Sequence, residues 1–582
     1  MLTGFGLLTG ALTVLAVATR IPLSWLMAGL VISSVIALLM RRQFPGGSST
    51  WIALALVSPI FVSATGHDPA MWDDFWNWLP SAAYQYRYNS LPWPGLAPSF
   101  AIFPGYPQAM PLMISAASFA GGRFLETAGP AINVLLLAGS SALFAEALAA
   151  ALVRHGRLQA AEMPLVLIAG AVAVTIVFNP GLDGVVVLSS YADCGTMVAV
   201  GALGLFGIEI LAGLSAPDTA DIERLAWRFG LVGAMLVNLK QANPVLLVLV
   251  TAGLILVALR VPALRTRRTL LQLPRMLAPA IVLVVLWRWY VAQQSLPSSP
   301  EQTFRSFDAW NFSVLRQTFA GIAHQIADAP LFHSMMWLVT AAGIAVFFRL
   351  PRKAGEAQWL AVVCATVWLG YNVFLLIIYL GVMSVSDAQI AADYWRYTPH
   401  VALLGLYPPA LALATARGPA WLKLRNAGPA LAAVLLALCA MPLRSDLNNP
   451  AGRAWQRFLR DAAADMRNMI PNGAKLLIVP YWSSNPFGVA VRYHLLQPAE
   501  PEQPIAASIL WDDNDLAKVT KWGARGEFDY LLLQDAEGPM NEATDALGLP
   551  RIDRELVLYI WRDGGWKRMK SWPIPPALVQ RS

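Results

Sequence analysis

Residues 358–380 read QWLAVVCATVWLGYNVFLLIIYL, a run without a single Asp, Glu, Lys or Arg. As an α-helix it is roughly 34 Å long at about 1.5 Å per residue, enough to cross a hydrocarbon layer of about 30 Å. Its apolar positions do not alternate, which argues against a barrel strand, and a helix satisfies its backbone hydrogen bonds within lipid. Working outward from this run, similar stretches recur along the chain. About thirteen spanning segments are expected, at 2–19, 23–40, 50–64, 128–153, 163–180, 194–212, 228–240, 243–259, 276–293, 333–348, 358–380, 398–416 and 427–443. Those near 50 and 228 are short and read as broken or tilted helices. The first lacks a basic leader and a cleavage site, so it reads as a span and not as a removable signal.

Composition points the same way. Of 582 residues 57% are hydrophobic and 13% charged, with mean hydropathy +0.53. A soluble domain is about 25% charged, so this chain has too little polar surface to cover itself in water. The three cysteines, Cys194, Cys364 and Cys439, sit in or beside apolar runs with no pairing or metal spacing, and read as packing residues. The histidines, His324, His333 and His400 among them, also show no metal spacing. No glycine-rich phosphate loop ending in Lys-Ser/Thr is present, which argues against an ATP-driven pump.

The net charge is +7, but residues 444–582 hold 17 basic and 17 acidic side chains, so the excess belongs to the apolar part. That placement argues for membrane orientation and against nucleic acid. With the N-terminus cytoplasmic, seventeen arginines and lysines fall on the inside connections and seven on the outside ones. The inside groups include Arg41–Arg42, Arg154 and Arg157, the cations from Arg260 to Arg275, Arg349 to Lys353, and Arg417 to Arg425. The positive-inside rule favours this orientation. It places two long loops outside, 65–127 and 294–332, together with the tail from about Arg444. Residues 107–120, apolar but short, read as a helix lying in the interface. The expected organisation is a transmembrane domain over 1–443 and an extracytoplasmic α/β domain over 444–582. In the tail, Lys475–Pro480 and Tyr530–Gln534 read as buried strands, and Asp563-Gly564-Gly565 as a hairpin turn.

The first outside loop is the richest in chemistry. It opens His67-Asp68-Pro69-Ala70-Met71-Trp72-Asp73-Asp74-Phe75-Trp76-Asn77-Trp78. Paired carboxylates at a membrane boundary are costly unless partnered. Aromatic faces such as Trp76 suit sugars, and a positioned carboxylate can act as general base on a hydroxyl. The plain alternative is a solvated loop with interfacial tryptophans. Tyr191-Ala192-Asp193 stands just outside a later span, where Asp193 reads either as a ligand of sugar or metal or as a helix N-cap. Lys240 lies between two apolar runs, and Arg396, followed by Tyr397, opens a late span. Both suit a phosphate, Arg396 as a two-pronged donor and Lys240 as a point charge. The alternative is snorkelling, or pairing with Asp193, Asp387 or Asp393.

Taken in order, these residues resemble the GT-C superfamily of membrane glycosyltransferases, which includes the protein O-mannosyltransferases and the aminoarabinose transferases. The likeness covers about residues 50–443. Asp73-Asp74 stands where those enzymes place an acidic motif. Phe103 to Pro111 resembles their Tyr/Phe-Pro-x-x-Pro stretch. Tyr191-Ala192-Asp193, Lys240 and Arg396-Tyr397 look similar to three further motifs. Two spans precede the usual first one, and the common Thr-Lys-Gly/Glu turn reads Leu239-Lys240-Gln241 here.

The resemblance implies a mainly α, polytopic transferase of the bacterial inner membrane with a small periplasmic α/β domain. It implies a polyprenyl-phosphate-sugar donor and an extracytoplasmic glycan, lipid or protein acceptor. Asp73, with Asp74 second, would be the base for inverting displacement. Arg396, Lys240 and Arg87 would bind the donor phosphate; Asp193, Tyr191, Trp76, Tyr397 and His67 would bind acceptor or sugar. No protein-held metal set is expected, and a divalent cation is left open. The competing readings are an O-antigen ligase or polymerase, which would place Arg and His in a late outside loop such as that of His324, and a secondary transporter.

Overall fold

The computed structural model describes residues 1–41, 47–159, 163–215, 221–297, 303–349, 355–416, 427–447, 450–479, 487–496, 505–510, 518–534, 544–545 and 547–575. Of the inside cations, Arg42, Arg352, Lys353, Arg417, Lys423 and Arg425 lie outside the described residues, as does Pro480. The chain divides into two compact units. One comprises Met1–His67, Gln85–Pro94 and Phe103–Arg444; the other comprises Asp68–Tyr84, Gly95–Ile102 and Ser445–Ser582.

The first unit is helical, and a helix occupies each of the thirteen expected segments. Among the described residues, eight helices are long and apolar enough to cross a membrane: Ser48–Thr65, Ala128–Arg154, Asp193–Ser215, Asn243–Arg260, Arg267–Gln293, Pro330–Arg349, Glu356–Gly381 and Tyr394–Ala416. Shorter apolar helices lie at Leu2–Ala18, Leu23–Ala37, Ala109–Gly121, Leu165–Val177 and Gly428–Met441. The helix Ile222–Leu239 begins with Glu223, Arg224 and Arg228, which dilute its apolar run. Ala109–Gly121, expected in the interface, buries Ala109 to Ser115 within the unit. The protein is a multi-pass membrane protein.

Asp193–Ser215 is the central helix, with 83% of its apolar window buried. It packs against Ala128–Arg154, Ile222–Leu239, Asn243–Arg260, Glu356–Gly381 and Ala402–Ala416. Lipid offers little hydrophobic drive for helix association, so close backbone approach matters more. Glycines of this helix instead make room for neighbouring leucines: a Cβ on Gly204 would stand 2.4 Å from Leu404 Cδ1, and one on Gly207 2.5 Å from Leu254 Cδ1. At the end of this helix, Arg154 donates from both Nη atoms to Glu209 at 2.8 Å, and from Nε to Glu356 at 2.6 Å, clipping three helices together.

The second unit holds a five-stranded sheet of order β2-β1-β3-β4-β5. The strands are β1 (Lys475–Val479), β2 (Ala506–Ile509), β3 (Tyr530–Gln534), β4 (Glu555–Arg562) and β5 (Gly565–Pro573). β2-β1-β3 run parallel and β3-β4-β5 antiparallel. The expected hairpin is present: Arg562 pairs with Gly565, and Asp563 and Gly564 both take positive φ, 52° and 79°. That backbone matches the strand twist, and Asp-Gly adopts it at low cost. Leu477, Val479, Leu531, Leu533, Val557 and Tyr559 build one core. The amphipathic helix Pro450–Met469 buries Leu459, Ala462, Ala463 and Met466 at helical spacing.

Candidate active site around a buried carboxylate

Asp193 opens the central helix of the first unit and is 3% exposed. An isolated carboxylate at that depth would be expensive, so partners are required. Lys240 Nζ lies 2.7 Å from its Oδ1 and His400 Nε2 2.9 Å from the same atom. Arg396 Nε stands 3.8 Å away. The Asp193 Oδ2 atom is buried and makes no hydrogen bond among the described residues.

Each partner arrives on a different element for a local reason. Lys240 follows the last residue of Ile222–Leu239 in extended backbone, before Asn243–Arg260 begins, so the cation sits in a break between two apolar helices. Asn243 secures that break by donating to Leu236 O at 2.8 Å and Thr196 Oγ1 at 2.9 Å. Arg396 and His400 are four residues apart across Tyr394–Tyr397 and a 3₁₀ turn, Thr398–Val401, which puts both on one side. His400 Nδ1 pairs with the Tyr371 hydroxyl at 2.8 Å, fixing the ring from its far edge.

Aromatic rings hold the cations. The Arg396 guanidinium lies 4.9 Å from the Tyr191 ring and 5.1 Å from that of Tyr397, and Lys240 Nζ is 5.3 Å from Tyr397. Such contacts favour a cation most where water is scarce. Arg396 also meets the half-exposed Asp393 at 3.2 Å. Beside the cluster is a small open cleft lined by Asp183, Asp193, Met197, Trp395, Arg396 and His400, among others. Two cations thus converge on one buried carboxylate at the edge of a cleft, with Asp393 a second, more exposed carboxylate on Arg396.

Five of the expected site residues, Tyr191, Asp193, Lys240, Arg396 and Tyr397, are therefore brought together. His400 and Tyr371 join them. His400 shows no metal spacing in the sequence, although its place one turn after Arg396 is visible there. Tyr371, inside an apolar span, carries no comparable signal. Arg87 belongs to the first unit, with its guanidinium 5.7 Å from the Tyr88 ring. His67 is partly exposed at the end of that unit's first segment, its backbone N–H reaching Ala64 O.

Asp73, Asp74 and Trp76 belong to the second unit. Asp74 is fully buried, and its Oδ2 accepts the Met71 N–H at 3.0 Å. Asp73 is partly exposed, as are Trp72 and Trp76, whose rings lie 5.7 Å apart. The turn that follows, Asp74–Trp78, is a π-helix, a form that recurs at functional sites. Among the described residues no three His, Cys, Asp or Glu side chains gather as a metal site.

No family model and no curated protein matches the chain. Solved structures do show likeness. ArnT from Cupriavidus metallidurans bound to undecaprenyl phosphate is 13% identical, with TM-score 0.46, over 89% of this chain and 98% of that one. The archaeal oligosaccharyltransferase AglB from Archaeoglobus fulgidus, in complex with an inhibitory peptide and a dolichol-phosphate, is 12% identical, with TM-score 0.43, over 90% of this chain and 75% of that one. The superpositions are loose, and the functional reading rests on the side chains described above.

Proposed function

We propose that this protein transfers a sugar from a polyprenyl-phosphate donor to an extracytoplasmic acceptor. The observation that carries the reading is the convergence of Lys240 and Arg396 on the buried Asp193, beside a cleft, where spanning helices begin and end. A lipid-linked phosphate supplies the anion for such a place and the long apolar chain that keeps it in the membrane. Arg396, held between Tyr191 and Tyr397, would take the phosphate as a fork, and Lys240 as a point charge. Fixed cations in a dry setting stabilise the charge that builds on a departing phosphate.

In the reaction the acceptor oxygen attacks the anomeric carbon and the bond from that carbon to the phosphate oxygen breaks. The configuration inverts, and the bonding pair leaves with the polyprenyl phosphate. The acceptor proton passes to a carboxylate, for which Asp73 is the better candidate. Asp74 is fully buried, with Oδ2 accepting the Met71 N–H, whereas Asp73 is partly exposed, as are Trp72 and Trp76. Those two rings suit the apolar face of a sugar. Asp193, engaged with Lys240 and His400, orders the phosphate site. We propose a bacterial inner membrane as its location; the charge bias of its connections supports a cytoplasmic N-terminus and an extracytoplasmic tail domain.

The test uses purified protein in lipid, following both polyprenyl-phosphate binding and sugar turnover. Arg396→Gln is expected to weaken binding by about tenfold or more, and Asp73→Asn to keep binding while losing roughly 10²–10⁴ in turnover. Unchanged binding in Arg396→Gln would move the phosphate site elsewhere. Movement of the intact lipid-linked sugar across the bilayer without cleavage would favour a transporter instead.

A further inference from the structure

The tail domain contains a stretch of chain drawn from far upstream. Residues Asp68–Tyr84 and Gly95–Ile102 fold into the same compact unit as Ser445–Ser582. Specific contacts tie them in. Gln456 Nε2 donates to Pro69 O at 2.5 Å, and Arg460 reaches Asp68 at 3.5 Å. Phe75, 2% exposed, lays its ring 5.5 Å from Tyr493 and 5.8 Å from His494. Arg492 bridges Ala507 O of β2 and Phe100 O with bonds of 3.0 and 2.9 Å. Ile102 N–H donates to Trp76 O at 3.2 Å, closing the upstream segments on each other.

Gln456 is the hub of this arrangement. It is 1% exposed, and its Oε1 stands 3.2 Å from His494 Nε2. Because Oε1 can only accept, His494 donates, which turns the Gln456 amide nitrogen toward Pro69. Pro69 and Phe75 flank the stretch 70–74 on both sides, with Asp73 two residues before the buried ring. Asp73 itself stays partly exposed while Asp74, Phe75, Asn77 and Trp78 are buried. Those buried residues all lie on the π turn Asp74–Trp78, which Asp73 precedes.

We infer that Gln456, Tyr493 and His494 of the tail domain are positioning residues for the Asp73 loop, and that this is the tail's role in the reaction. The inference rests on the proposed function for its catalytic part, whereas the docking part stands on the contacts alone. A group that must accept a proton within a few tenths of an ångström of the right place needs a fixed loop, and a hydrogen-bonded, aromatic-packed anchor supplies one.

The experiment compares full-length wild type, Gln456→Met and Phe75→Ala with the conservative His494→Gln and Phe75→Tyr, all in lipid. Two quantities are read. The first is amide hydrogen exchange over residues 68–84, with β1, β3 and β4 as internal controls. The second is sugar turnover, split into kcat and donor affinity. Gln456→Met and Phe75→Ala are expected to speed exchange over 68–84 by about five- to tenfold, with the strands unchanged. They are expected to lower kcat by about tenfold or more at unaltered donor affinity, and the conservative variants to restore most of it. Unchanged exchange over 68–84 overturns the docking. Faster exchange with full kcat overturns the positioning role. Exchange that rises equally in the strands reduces the contacts to general stability, which also overturns it. Wild type that binds no donor and turns none over defeats the proposed function, and the catalytic part of this inference with it, while the exchange measurement still decides the docking.

Discussion

At the scale of the residue, Asp193 shows why a buried charge is informative. It persists only because Lys240, Arg396 and His400 surround it, and Lys240 in turn depends on it. Breaking such a set costs more than the set contributes, because the remaining charges stay buried. Asp193→Asn is therefore expected to destabilise the chain by roughly 3–5 kcal/mol. Asp393→Asn, at a half-exposed partner of Arg396, is expected to cost about 1 kcal/mol or less. Thermal unfolding of the two variants in one detergent compares them, and equal losses would refute the central place given to Asp193. His494 makes a second prediction. Burial first, and then Arg460 and Arg467, lower its pKa from 6.5 to about 3. Above about pH 6.5 the imidazole is neutral folded or unfolded and contributes no pH slope. Between pH 6.5 and 3 the unfolded chain takes a proton the folded ring refuses, so stability falls with pH by at most about 1.4 kcal/mol per unit. Denaturant unfolding at pH 7 and pH 5 is expected to show that loss, and His494→Gln to flatten it.

At the scale of the element, two glycines carry distinct burdens. Gly343, in Pro330–Arg349, faces the backbone of Glu356–Gly381: a Cβ there would stand 2.2 Å from Ala361 O. A backbone atom cannot step aside as a side-chain tip can. Gly343→Val is expected to push the two helices apart and cost about 1–3 kcal/mol, read as a lower Tm. Gly564, at φ 79° in the tail hairpin, meets open space, so only its backbone conformation resists a side chain. Gly564→Val is expected to cost about 1–2 kcal/mol, and Gly564→Asn, which tolerates that conformation, much less. Equal effects of Val and Asn at this position would mean the turn does not hold the left-handed form.

At the scale of the whole molecule, the charge bias of the connections sets the expected orientation. Phosphatase fused after Ser582 is expected to be active, as it is only outside the cytoplasm, and a fusion within 260–275 inactive. The reverse pattern would invert the topology and place the proposed chemistry on the wrong side for an extracytoplasmic acceptor.

The sequence by itself determined the helices of the bundle, the strands β1 and β3 and the hairpin of the tail. Each follows from local physics: apolar length against bilayer thickness, buried runs bounded by breakers, and an Asp-Gly turn. It also singled out Lys240, Arg396 and Asp193, because a charge in an apolar context needs a reason. Strand β2, only four residues long and half exposed in alternation, carried too weak a pattern to read. Only the tertiary structure decided that His400 and Tyr371 complete the cluster, since their neighbours come from helices far apart in the chain. It alone showed that Asp73 and Asp74 have different surroundings, one partly exposed and one buried. It alone drew residues 68–84 into the same compact unit as the tail, through contacts such as Gln456 with Pro69, separated by 387 residues. Pairings at that range leave no periodicity behind, because each partner satisfies its own local rules before the chain brings the two together.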